Sequence, residues 1–185
     1  MGYKLFDKSG NELNHHNLQD KDYWCGDGER IEHSFVRQYG NALGLKINPQ
    51  KEHDKYAPDL INAEGQLCDL KTQNTPFFSS ARYGFNDPSY VVVFNKKDAR
   101  RYYDAYRNID IYFWVRWEAV KYINDNVSIE VEPIEGVWKV SFINLIEILK
   151  NAPIHHYKQR INDIKGNAKS SFLISIKEKN IIKVQ

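Results

Sequence analysis

Residues 67–73 read Leu67-Cys68-Asp69-Leu70-Lys71-Thr72-Gln73, and ten positions before Asp69 stands the pair Pro58-Asp59. Side chains alternate faces along a strand. As a strand, this run puts Asp69 and Lys71 on one face with Leu67 and Gln73, and Cys68, Leu70 and Thr72 on the other, less polar face. Residues 57–74 read as two strands joined at the turn cluster Asn62-Ala63-Glu64-Gly65. Two carboxylates and an amine gathered at one spot can hold a hard divalent cation and position a water, the minimum for cutting a phosphodiester.

Upstream of this pair, a helix is expected from an N-cap at Asp27 to Leu43, with Gly44 as its stop signal. At about 100° per residue, Ile31, Phe35, Val36, Tyr39, Ala42 and Leu43 form an apolar stripe. Glu32 falls inside that stripe and is its sole ionisable group. An unpaired buried carboxylate is costly, so Glu32 calls for a partner, a metal or a water-filled site; its plainer roles are to pair with a nearby Arg or to cap its own helix end.

Downstream, Thr75 to Pro88 reads as loop and Tyr90–Phe94 as a short buried strand. Asn95 is a candidate cap for a helix over 96–107, with Asp98 as its capping-box partner. Ile109–Trp117, aromatic and β-branched, reads as a central strand. Val137–Phe142 is a further strand, 142–150 a helix ending before Pro153, and Ser171–Lys177 and Ile181–Val184 are two more strands. Tyr3–Leu13 reads as a small hairpin and 12–26 as polar loop. The fold class is α/β (α+β): a mixed central sheet flanked by helices.

The bulk numbers suit one domain over residues 1–185, with 42% hydrophobic and 14% aromatic residues, enough to build a core rather than a disordered chain. No apolar run approaches the roughly 18 residues of a membrane span, and the first residues lack a signal-peptide pattern. Cys25 and Cys68 are far apart and form no CxxC, so a zinc site on them is not expected and a reducing cytoplasm is the expected compartment. The net charge of +2 conceals an asymmetry: residues 150–185 hold eight Lys or Arg against two acids, and the rest holds 18 basic against 22 acidic groups. A basic end on a neutral-to-acidic body suits a nucleic-acid partner, and equally a solvated lysine-rich face.

An inward Glu32 on the first helix, Pro58-Asp59, and Asp69-Leu70-Lys71 on the second strand of a hairpin follow one another in a helix-strand-strand-strand-helix-strand order. Over about residues 27–117 this resembles the PD-(D/E)XK nuclease superfamily, the restriction-endonuclease-like fold. The resemblance implies an αβββαβ catalytic core at 27–117, with residues 118–185 as an extension of helix and strands carrying DNA contacts. It implies that Asp59 and Asp69 ligate Mg²⁺ (Mn²⁺ substituting), with the Leu70 carbonyl as a further oxygen and Glu32 binding through water or holding a second ion. Lys71 would orient or help deprotonate the attacking water. Gln73 would hold water or phosphate.

Each residue also has a plainer role available. Pro58-Asp59 can open a strand, Asp69 and Lys71 can form a modest ion pair, and Gln73 can be a satisfied strand-end amide. His53 and Asp54 are reserve ligands. His156, Lys158, Arg160 and Lys169 are candidate nucleic-acid contacts, and Arg100-Arg101 can touch phosphate or simply coat a helix. The expected function is Mg²⁺-dependent endonucleolytic cleavage of double-stranded DNA, of restriction type, with a homodimer as a possible assembly. The alternatives are a repair or Holliday-junction-resolving nuclease, or a non-catalytic nucleic-acid-binding module on the same fold.

Overall fold

The computed structural model describes residues 3–13, 28–54, 56–157 and 170–185, with side chains from Arg30 onward in the second span. Asp27, Lys158, Arg160 and Lys169 lie outside the described residues. The strands are β1 (Lys4–Phe6), β2 (Leu45–Ile47), β3 (Leu60–Asn62), β4 (Leu67–Gln73), β5 (Val91–Asn95), β6 (Asp110–Arg116), β7 (Lys121–Asn124), β8 (Val127–Glu130), β9 (Glu135–Ser141), β10 (Ile154–His156), β11 (Ser170–Ser175) and β12 (Ile182–Lys183). The helices are α1 (Gly28–Phe35), α2 (Lys96–Ala105) and α3 (Phe142–Leu149).

Six strands form the main sheet in the order β12-β9-β6-β4-β3-β2. Neighbours pair antiparallel except β4 and β6, which run parallel from Cys68↔Asp110 to Gln73↔Val115. A parallel pair needs a crossover, and here β5 and α2 lie between the two strands in the chain. The molecule is therefore mixed α+β, as the sequence predicts. Two three-stranded sheets, β10-β11-β5 and β1-β7-β8, complete it.

The main sheet is buried on both faces. Alternation along β6 sends Ile111, Phe113 and Val115 into one core with Phe94, Tyr102, Phe142 and Leu145. Tyr112 and Trp114 go to the opposite core with Phe35, Leu45, Leu60, Cys68 and Leu70, onto which Ile31, Val36, Tyr39 and Leu43 pack. Leu67 joins the first core and Cys68 and Leu70 the second, the strand parity expected for β4.

The three antiparallel strands after the first helix are β2, β3 and β4. The expected third strand, β5, pairs instead with β11. β2 is three residues long and directly follows Gly44, too short for periodicity to reveal. The β7–β8 hairpin, turning at Asp125 (φ 49°), and β10 were also not expected, and the 75–88 loop contains short helical turns at Phe78–Tyr83 and Pro88–Tyr90.

The first helix departs from ideal geometry. After α1 it widens into a π-type turn over Val36–Gly40 and closes with one turn over Asn41–Leu43. A π turn advances less than 100° per residue, so Ala42, expected in the apolar stripe, is exposed. Gly40 lets the helix approach β2: a Cβ there would lie 2.7 Å from the Leu45 carbonyl oxygen. Gly44, at φ 65°, ends the helix in the left-handed conformation that glycine adopts without penalty.

Candidate active site

Strand parity aims Asp69 and Lys71 at α2, whose residues Asp98, Arg101 and Tyr102, spaced i, i+3, i+4, share one face. The Lys71 Nζ lies 2.7 Å from Asp69 Oδ2 and 2.8 Å from Asp98 Oδ2, and donates to the Tyr102 hydroxyl at 3.3 Å. Arg101 Nη2 donates to the same hydroxyl at 2.6 Å and stands 3.5 Å from Asp98 and 3.9 Å from Asp69. Its Nη1 donates to the Tyr56 carbonyl at 3.2 Å, tying α2 to the loop before β3.

Asp59 and Glu32 form the adjoining half. Asp59 Oδ2 accepts the backbone N–H of Leu70 at 3.1 Å, so the carboxylate is fastened to the residue between Asp69 and Lys71. In a strand the N–H and C=O of one residue leave on the same side, so the Leu70 carbonyl faces this edge too. Lys51, in the turn after β2, bridges Glu32 Oε1 and Asp59 Oδ1 at 2.5 Å each. Glu32 thus has a basic partner, a lysine rather than an arginine.

Burial governs the protonation of these groups. It raises the Asp69 carboxyl above its ordinary value against the pull of Lys71. It also raises Asp59, with the neighbouring Glu32 charge adding to the effect. Burial alone would lower Lys71, but the attraction of Asp69, Tyr102 and Asp98 outweighs it and holds the amine well above its ordinary pKa. Burial would raise Asp98 too, yet Lys71 and Arg101 keep it below the usual carboxylate value. Burial pushes the Tyr102 hydroxyl far up. These neighbours favour the ammonium form of Lys71.

The other expected residues divide. The Gln73 amide is committed at both ends to the Val93 peptide, donating to its carbonyl at 2.9 Å and accepting its N–H at 3.0 Å. It joins β4 to β5 and is not offered to water or phosphate. Asn95 stands at the N-cap of α2 but makes no side-chain cap bond; its Oδ1 accepts from Ser171 Oγ at 2.9 Å. Asp98 serves Lys71 rather than a capping box. His53 is exposed, and Asp54 accepts the Tyr56 N–H in a turn. His156 is exposed on β10, away from these carboxylates in the chain, while its neighbour His155 bonds the Tyr83 hydroxyl at 2.7 Å. Lys51, Asp98 and Tyr102 were not among the expected site residues, and Arg101 was expected only as a phosphate contact or a helix-surface charge; with Asp98 and Tyr102 it lines the site. The i, i+3, i+4 spacing on α2 was a readable signal for three of them; Lys51 had none.

Among the described residues, no three His, Cys, Asp or Glu side chains converge tightly enough to hold a metal as they stand. The donors nevertheless fit Mg²⁺ in kind: hard carboxylate and carbonyl oxygens. Asp69 is 2% exposed at its side chain, and its Oδ2, although in ionic contact with Lys71, has no well-directed hydrogen bond. Lysine ammonium groups stand between the acids where a cation would go.

No protein-family model matches the chain, and no curated protein matches it. Among the described residues, no helix is long and apolar enough to cross a membrane.

Proposed function

We propose that this chain is a Mg²⁺-dependent endonuclease of the PD-(D/E)XK type acting on DNA, of the restriction kind. The observation that carries the reading is the Asp59–Leu70 bond. It draws Asp59 to the strand residue flanked by Asp69 and Lys71, so the acid just before β3 meets the acid and the lysine of β4 at one edge. The helix, the antiparallel β2-β3-β4, then α2 and the parallel β6 support it as the surrounding order.

Asp59, Asp69 and the Leu70 carbonyl would hold the ion, with Glu32 beside it. The metal, when bound, supplies charge stabilisation and an activated water. Lys71, kept protonated by Asp69 and Asp98, offers fixed positive charge to the phosphate as negative charge develops in the transition state. Asp98 and Tyr102 hold that amine in place, and Arg101 braces both of them. The basic 150–185 end suits the DNA backbone.

A second reading, a non-catalytic nucleic-acid-binding module, draws on one observation: Lys51 and Lys71 already neutralise the acid pairs. Plasmid cleavage with Mg²⁺ or Mn²⁺, against EDTA and against Asp69→Ala and Lys71→Ala, separates the two. The nuclease loses cleavage in all three controls. Salt-sensitive DNA binding without metal-dependent cleavage gives the second reading, and cleavage surviving both substitutions removes these residues from the chemistry.

A further inference from the structure

Among the described residues, Lys51 is the one cation of the site that lies on neither β4 nor α2. Its Nζ touches Glu32 Oε1 and Asp59 Oδ1 at 2.5 Å each, and its side chain is 16% exposed. It comes from the short turn Pro49–Glu52, which the Asn48 side chain caps by accepting the Gln50 N–H. The Asn48 amide in turn donates to the Pro58 carbonyl at 2.9 Å. The backbone just before Lys51 and just before Asp59 is thus pinned, while the lysine side chain is a long flexible stem.

Without Lys51, Glu32 and Asp59 would face each other as like charges, and Glu32 already works to raise the Asp59 carboxyl. The ammonium resolves that repulsion. It also takes Asp59 Oδ1, the oxygen left over after Oδ2 accepts Leu70. A divalent cation binding that oxygen would be repelled by the ammonium 2.5 Å from it.

The charge count fits an exchange. Glu32, Asp59, Asp69 and Asp98 against Lys51, Lys71 and Arg101 leave one net negative charge. One divalent ion would turn this to one positive charge, and one phosphodiester would bring it to zero. The released ammonium is then the mobile positive group at the edge of the site, within stem's reach of an incoming phosphate.

We propose that Lys51 is an exchangeable internal counter-ion: it holds Glu32 and Asp59 in place until a divalent cation displaces it, and the displaced ammonium then serves as a phosphate-binding group. This rests on the metal-site reading above.

The test is Mn²⁺ binding by titration calorimetry to the full chain as wild type, Lys51→Met and Lys51→Arg. Removing the competing charge should tighten Mn²⁺ binding in Lys51→Met by about tenfold or more, while Lys51→Arg stays near wild type. A Lys51→Met affinity equal to or weaker than wild type overturns the exchange. Because that variant can fail to fold, amine footprinting of the wild type by an acylating reagent and mass spectrometry gives a second reading. Lys51 should be protected in EDTA and acylated several-fold faster in saturating Ca²⁺. Unchanged or slower acylation with bound Ca²⁺ overturns it. If wild type, Lys51→Met and Lys51→Arg all fail to bind Mn²⁺, the metal-site reading itself falls, and the exchange with it. Wild-type binding with no effect at Lys51 removes only the exchange. The phosphate role predicts that Lys51→Met weakens Ca²⁺-dependent binding of a DNA duplex several-fold despite tighter metal binding; unchanged DNA affinity removes that role.

Discussion

The Asp59 carboxylate accepts the Leu70 amide proton at 3.1 Å, so the acid preceding β3 is fixed to the strand that carries Asp69 and Lys71. This bond does two jobs with one side chain. Oδ2 satisfies a strand N–H beyond the last β3–β4 pair, Leu60↔Cys68, and Oδ1 faces the site.

Those two jobs separate by substitution. Asp59→Ala leaves the Leu70 N–H without an acceptor and should cost about 1–3 kcal/mol of stability along with metal-dependent cleavage. Asp59→Asn keeps an acceptor oxygen and removes a carboxylate that burial disfavours, so its stability should stay within about 1 kcal/mol of wild type while cleavage is lost. Urea unfolding and plasmid cleavage on both variants check this. Equal instability in the two would show that the charge, not the acceptor, holds β3 to β4.

Gln73 should behave as a structural residue. Its amide substitutes for a peptide in bonding Val93 and so forms a polar link from the main sheet to β5. Gln73→Ala strands both groups of the Val93 peptide, so a loss of about 1–3 kcal/mol is expected, read as a lower urea midpoint. The folded fraction should still cleave. A stable Gln73→Ala protein with no cleavage would return Gln73 to the chemistry.

Much of this architecture was legible because alternation and helical periodicity are strong where elements are long. β4 and β6 have seven residues each, and parity puts Asp69 and Lys71 on one face of β4, the face that α2 covers. β2 has three and carries almost no pattern, and so the third strand of the expected order falls at Tyr90–Phe94 instead. The π-type turn at Val36–Gly40 leaves no mark in composition, and it shifts Ala42 off the stripe. Glu32 lies before that turn, so its inward position was readable. Its partner was not, since Lys51 comes from a polar turn where one lysine resembles any other.

The site should give an inverted acid dependence of stability. Asp59 and Asp69 both sit above the ordinary carboxylate value, burial being the largest cause in each. A folded-state pKa above the unfolded one means that the folded protein binds more protons between the two values. The stabilisation is full below the unfolded pKa and is lost as pH rises through the folded one. Asp98, held low by Lys71 and Arg101 despite burial, works oppositely and loses its contribution as pH falls through its folded value. Relative to Asp69→Asn, wild type should therefore lose stability as pH rises from about 4. Saturating Mg²⁺ should abolish that decline by favouring the ionised carboxylates. Urea midpoints across pH, with and without Mg²⁺, measure it; a difference that grows with pH would mean that Lys71 depresses Asp69 after all.

Asp98 tests whether Lys71 needs to be held. It lies 2.8 Å from the Lys71 amine and reaches the other proposed site groups only through that amine and Arg101, so it is a positioning residue. Groups that orient a working side chain in a metal site typically contribute about 10–100-fold, and Asp98→Asn should lower kcat by that much. It keeps an oxygen acceptor but loses a charge that, after Asp69 and Tyr102, helps to raise the Lys71 pKa. The alkaline limb of the pH–rate profile should therefore move to lower pH, because Lys71 gives up its proton sooner. Asp98→Glu, which restores the charge on a longer stem, should return the limb toward wild type. A merely structural Asp98 would lower stability and leave the limb where it is. Lys71→Met should cost more than Asp98→Asn, about 10²–10³-fold, since it deletes the charge itself.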